Sequence, residues 1–142
     1  ISPMINFDLL IKNSKGETLL TWRKKGEKYP AGWHVPGGII RFKEKTENRI
    51  RKVAKIELGR DVFFKKKPLV IKEIFLNQIN RSHFISILYL CRLKESLNPK
   101  LRKNKVFMQK YKMKWFSKCP KNIIRPHLMY KNFINKKFNK NA

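Results

Sequence analysis

Cysteine is nearly absent: two residues, Cys91 and Cys119, in a chain of 142. Cys91 sits in a strand-like run and Cys119 beside a proline, so they read as free thiols, not as a disulfide framework. Neither has the spacing of a metal ligand. No apolar run reaches the length of a bilayer span, and the N-terminus lacks a basic-then-apolar signal pattern. A cytoplasmic location is therefore expected, and the sequon Asn80-Arg81-Ser82 reads as chance. No internal repeat is visible. Acidic residues are also scarce. Nine Asp and Glu face 35 Lys and Arg, a formal charge of +26. Such a field draws phosphorylated ligands and favours non-specific binding of polyanions. The basic residues are dispersed, however, as a solvated lysine-rich surface would be. None of the ordered nucleic-acid motifs is present.

What remains is one small domain, 42% hydrophobic and long enough to bury a core. Its centre is the stretch Trp33 to Gly59, WHVPGGIIRFKEKTENRIRKVAKIELG. It reads as a short strand, a Pro-Gly-Gly turn, a second extended piece and a helix ending at Gly59. Thr46 suits the N-cap, Glu47 the positive end of the helix dipole, and Gly59 a left-handed C-cap. Ile50, Val53, Ala54 and Leu58 form one apolar stripe. Glu57 borders that stripe, as either a half-solvated edge charge or a ligand aimed into a site.

Around it, Ile5–Lys12 and Thr18–Arg23 read as a hairpin about the turn Asn13-Ser14-Lys15-Gly16. Arg60 to Pro68 reads as a basic connector, Leu69–Gln78 as a strand and His83–Leu93 as a buried strand. Val106–Met108 and Met113–Phe116 are short extended pieces. Pro126 opens a last helix with Leu128, Met129, Phe133 and Ile134 on one side. A loose basic tail is expected from about residue 136. Mixed strands with two helices predict an α/β/α sandwich with a mixed sheet.

Gly38, Glu44, Glu57 and Gly59 stand in the register of the Nudix box, so from about Asn6 to Ser117 the chain resembles the Nudix hydrolases. Lys52 takes the place of the box arginine, and Val53 and Ile56 replace two of its glutamates. In those replacements it is most similar to the GDP-mannose mannosyl hydrolases. The resemblance implies the Nudix-type α/β/α sandwich, a homodimer and hydrolysis of a nucleotide sugar to nucleoside diphosphate and free sugar. It implies one Mg2+, with Mn2+ as an alternative, on the carbonyl of Gly38, the carboxylate of Glu57 and the amide oxygen of Gln109. Gln109 is placed by counting six residues back from Trp115. The family base, a histidine, is replaced by Lys110. A lysine is ordinarily protonated at neutral pH, so a base there needs burial or positive neighbours to lower its pKa. Substrate contacts are implied at Asp8, Arg23 and His83, and Arg41 lies where it could support the leaving phosphate in place of an arginine at Ile39. Glu44 and Lys52 correspond to the structural ion pair of the box. Two other functions fit the residues: a Nudix-like domain that binds nucleotide or nucleic acid without turnover, and a pyrophosphohydrolase acting at phosphorus.

Overall fold

The computed structural model describes residues 2–24, 30–77, 82–95 and 112–138. In chain order its elements are β1 (Met4–Ile11), β2 (Thr18–Arg23), β3 (Gly32–His34), β4 (Gly37–Ile39), α1 (Thr46–Leu58), β5 (Val62–Phe64), β6 (Val70–Phe75), β7 (His83–Leu93) and β8 (Met113–Phe116). A 3-10 segment, Arg125–Tyr130, then runs into α2 (Lys131–Asn135).

The two longest apolar runs, β1 and β7, pair in parallel and form the spine of a mixed sheet. β4 pairs antiparallel on the outer side of β1, while β5 and β6 pair antiparallel with successive parts of β7. A second sheet has the order β3-β2-β8. Alternation along β1 decides the layers, because successive side chains leave opposite faces. Phe7, Leu9 and Ile11 pack with Ile50, Val53, Ala54 and Leu58 of α1. Leu10 joins Leu88, Leu90, Tyr130 and Ile134 on the other side. Helices therefore flank a mixed sheet, as the α/β/α expectation requires.

Local departures from the expected elements have physical causes. The N-cap of α1 is Lys45, in extended conformation and without a side-chain cap bond, so Thr46 is already helical. Gly59 does close the helix: its φ is 65°, and its amide reaches Lys55 O at 2.9 Å. The supposed connector after Gly59 contains β5, a strand too short to show alternation. Its exposed Phe63 lies under the cations of Arg92 and Lys94, 4.8 and 5.2 Å from the ring centre. Of the expected stripe near the C-terminus, Met129, Phe133 and Ile134 pack in the core and Leu128 alone departs. Residues 125–130 wind at three per turn, so His127 and Tyr130 are buried together and Leu128 is exposed.

Val106–Met108 lies outside the described residues, as do 139–142. Phe138, at the head of the expected tail, packs against the core. Both cysteines are free thiols. Buried Lys12, its pKa lowered by burial to about 8, donates to Ile134 O at 2.8 Å and ties α2 to the end of β1. No helix among the described residues is long and apolar enough to cross a membrane.

Candidate active site

A cleft of about 160 Å3 opens where the even-numbered face of β1 meets β7, the C-terminal end of α1 and the segment after Ile123. The register Asn6↔Ser86 puts two polar side chains side by side on its floor, and Asn6 Nδ2 lies 3.3 Å from Ser86 Oγ. Asp8 follows on the same face of β1 and is almost wholly buried. An unpaired carboxylate there would be costly. It is instead held from both sides: Asn6 Nδ2 donates to Oδ1 at 2.9 Å and Tyr130 Oη to Oδ2 at 2.6 Å. Burial nevertheless raises the Asp8 pKa to about 6, against the lowering effect of those bonds and of His34. Burial, with Asp8 beside it, holds the Tyr130 phenol well above its ordinary range and keeps it a donor.

Close contact with the backbone explains a glycine here. A Cβ on Gly37 would collide with Asp8 Oδ1 and sit 2.9 Å from Phe7 O. Gly37→Ala is therefore expected to cost about 1–3 kcal/mol by overpacking and to displace the Asp8 carboxylate. Urea unfolding and the activity of the same preparation check both effects.

Two imidazoles line the cleft, and neither was singled out in the sequence. His127 is buried, and its Nδ1 accepts the Val35 N–H at 3.0 Å. The neutral ring must then carry its proton on Nε2, which lies 4.0 Å from Asp8 Oδ2. Burial first, then His34 and Arg23, lowers the His127 pKa to about 3. His34, in β3, lies with Nε2 3.9 Å from Glu57 Oε1. Thr21, its direct partner across the β2–β3 pair, places Oγ1 3.3 Å from Nδ1 and 3.2 Å from Nε2.

Glu57 faces the cleft from α1. Its side chain is 25% exposed, yet Oε2 is buried with no hydrogen-bond partner. A buried carboxylate oxygen without a donor is unfavourable, and a cation is what such an atom accommodates. The chemistry of this donor fits a divalent ion. Val53 is packed in the core and Ile56 is exposed, and neither offers an oxygen. Among the described residues no three His, Cys, Asp or Glu side chains converge as a metal cluster. Gly38 lies in β4 against α1, where a Cβ would meet Val53 Cγ2 at 2.9 Å. Gln109 and Lys110 lie outside the described residues.

Of the remaining residues, Arg23 ends β2 at the rim of the cleft. His83 is elsewhere. Phe84 and Ile74 face the cleft, whereas their neighbours His83 and Phe75 stack together 4.4 Å apart, with His83 Nε2 3.2 Å from Glu73 Oε2. Arg41 lies in a separate shallow depression with Phe42, Glu44 and Lys52. Its amide donates to Glu44 Oε1 at 3.2 Å. Lys52 Nζ does reach Glu44 Oε2 at 3.0 Å, but the fork is supplied by Arg49, one turn earlier, at 2.6 and 3.0 Å. That bidentate bond is the main reason the Glu44 carboxyl is held down at about 2.

No family model matches the sequence, and no curated protein matches it either. Solved structures do. A MutT Nudix hydrolase from Burkholderia pseudomallei is 16% identical, with a TM-score of 0.65 over 98% of this chain and 100% of that one. A Nudix-family hydrolase from Clostridium perfringens is 18% identical, with a TM-score of 0.64 over 95% and 97%. A UDP-X diphosphatase is 17% identical, with a TM-score of 0.59 over 82% of this chain, which spans 51% of that protein's length. The chain has the fold of the Nudix hydrolases.

Proposed function

We propose that this chain is a divalent-metal-dependent hydrolase of a nucleotide sugar, GDP-mannose or a relative, releasing nucleoside diphosphate and free sugar by attack of water at the sugar carbon. The observation that carries it is the buried, unpartnered Oε2 of Glu57 in a cleft shared with Asp8. Glu57, with oxygens from Gly38 and Gln109, would hold a single ion. When bound, that ion neutralises the charge that builds on a departing diphosphate.

The chain's own residues divide the remaining work. Arg23 stands at the rim where a diphosphate would enter, and the overall charge of +26 favours that encounter. The cleft, at about 160 Å3, is well below the roughly 300–1,000 Å3 of pockets for drug-sized ligands. It suits one ring, not a whole nucleotide sugar. Its lining matches a hydroxylated ring, with Asn6, Asp8 and Ser86 for hydroxyl groups and Ile74 and Phe84 for the ring face. Ionised Asp8 accepts from a sugar hydroxyl, while Tyr130 and Asn6 fix its orientation. Lys110 remains the candidate proton acceptor for the water.

Cleavage at phosphorus is the second reading, favoured by the diphosphatase among the structural neighbours. The single carboxylate facing the cleft from the box helix favours the first. Hydrolysis of GDP-mannose in 18O-labelled water separates them. Attack at carbon is expected to place the label in free mannose beside unlabelled GDP. Label in phosphate, with GMP and mannose-1-phosphate as products, would mean attack at phosphorus. Binding with no turnover across a panel of nucleotide sugars would leave a nucleotide-binding domain.

A further inference from the structure

Resting on the reading of Glu57 as the ion's carboxylate ligand, we propose that His34 is a second side-chain ligand of the same ion. A site with this nitrogen donor takes a divalent transition ion such as Mn2+ or Co2+ in preference to Mg2+.

Three observations meet at this pair. Nε2 of His34 is 3.9 Å from Glu57 Oε1. Adjacent ligands of one octahedral ion at metal–ligand distances near 2.1 Å stand about 3 Å apart, so a small rotation of the half-buried Glu57 side chain closes the difference. The other Glu57 oxygen, Oε2, is buried and has no hydrogen-bond partner. A simple ion pair between the two side chains would leave that oxygen unsatisfied, whereas a cation between β3 and α1 satisfies both groups. Finally, Thr21 Oγ1 lies beside the same ring, 3.3 Å from Nδ1 and 3.2 Å from Nε2. With Nε2 on a metal, Nδ1 carries the proton, and a small turn of the ring lets it donate to this hydroxyl, an outer-shell bond of the kind that orients a ligating histidine. The Thr21↔His34 strand register keeps the hydroxyl beside the ring.

Ion preference follows from the donor set. Mg2+ wants an octahedron of oxygens, and the box positions that would supply further carboxylates are the hydrocarbons Val53 and Ile56. Imidazole is a poor exchange for oxygen at magnesium and a good one at a transition ion.

The test is electron spin-echo envelope modulation of the Mn2+-loaded protein, which detects a directly coordinated nitrogen without any turnover. The wild type is expected to show 14N modulation from one imidazole. His34→Gln is expected to lose it, to bind Mn2+ on the order of 10–100-fold more weakly, and to change Mg2+ affinity by less than about threefold, as imidazole suits magnesium poorly. His83→Gln, remote from the cleft, keeps the signal. Mn2+ bound through Glu57 with no nitrogen modulation overturns the proposal, as does a signal that survives in His34→Gln. Mn2+ affinity unaffected by Glu57→Gln, or no Mn2+ binding at all, overturns the Glu57 reading on which it stands. The wild-type spectrum decides the point even if a His34 variant fails to fold.

Discussion

Glu57→Gln is expected to lower the rate of nucleotide-sugar hydrolysis by at least about 100-fold while leaving the metal-free protein as stable as the wild type or more so. The two effects share one cause. Without a metal, Glu57 presents a carboxylate whose Oε2 is buried and unpartnered, an arrangement that costs stability. The amide is nearly the same size and removes the charge, so the fold loses nothing it was using. With metal, on the proposed reading, the same carboxylate is the ion's charged ligand, and losing the charge stabilisation of a departing group is worth roughly 3–4 kcal/mol, or a factor of 10²–10³. Thermal unfolding with and without a divalent ion checks this directly. The wild type gains stability with ion concentration as binding linkage demands, and the variant does not. A variant that loses activity and metal-free stability together would mean that Glu57 is a structural residue.

How far the sequence reveals this site depends on how local each contact is. Gly59 as helix end, the α1 stripe and the β1–β7 apolar runs were all readable, because each depends on spacing within one element. β2, β7 and β8 fall at the boundaries that their patterns predict. Helix geometry placed Glu57 at the border of the apolar stripe, as an edge charge or a ligand, and the Nudix-box register marked it as the metal carboxylate. Asp8 could be suspected as an acid in an apolar strand, but its partner Tyr130 lies 122 residues away. Only the packing of the C-terminal segment on β1 brings them together. His127 was hidden by the same separation. It also lies in a segment whose three-residue turn buries His127 and Tyr130 and turns Leu128 out of the expected stripe. His34 is a different case. It sits beside the Pro-Gly-Gly turn in full view, yet its relation to Glu57 depends on β3 meeting α1, which no local pattern encodes. Arg49 was missed because the Glu44–Lys52 spacing already supplied a pair. The preference of Glu44 for a bidentate partner became visible only with the loop folded beside α1.

Asp8→Asn is expected to make the protein more stable at pH 7, more sensitive to acid, and a poorer hydrolase. Burial raises the folded Asp8 carboxyl from its ordinary 3.8 to about 6, so at pH 7 the ionised fold bears a penalty on the order of 3 kcal/mol. Asparagine removes it, and a gain of about 1–3 kcal/mol is expected. The low end applies if the Asn6 amide does not turn to match its new neighbour. The sign of the acid effect follows from which state takes its proton first. As pH falls through 6, folded Asp8 protonates before the unfolded carboxyl, and the fold gains stability down to about pH 4. His127 acts the other way: its ordinary 6.5 is lowered by burial to about 3. The unfolded imidazole therefore takes its proton first as pH falls through 6.5, and the fold loses stability. In the wild type these slopes oppose each other between about pH 6 and 4. Asp8→Asn deletes only the stabilising one, so urea unfolding at pH 7, 5 and 4 should show the variant starting higher and falling faster. A parallel pair of curves would mean that Asp8 is ionised throughout. Activity should drop by on the order of 10–100-fold, the worth of one charge-assisted bond to a sugar hydroxyl. Wild-type activity should itself decline as pH falls below about 6, where that charge is lost. A stabilised variant with reduced activity would identify Asp8 as a residue whose burial costs the fold stability and whose charge the cleft uses to hold its substrate.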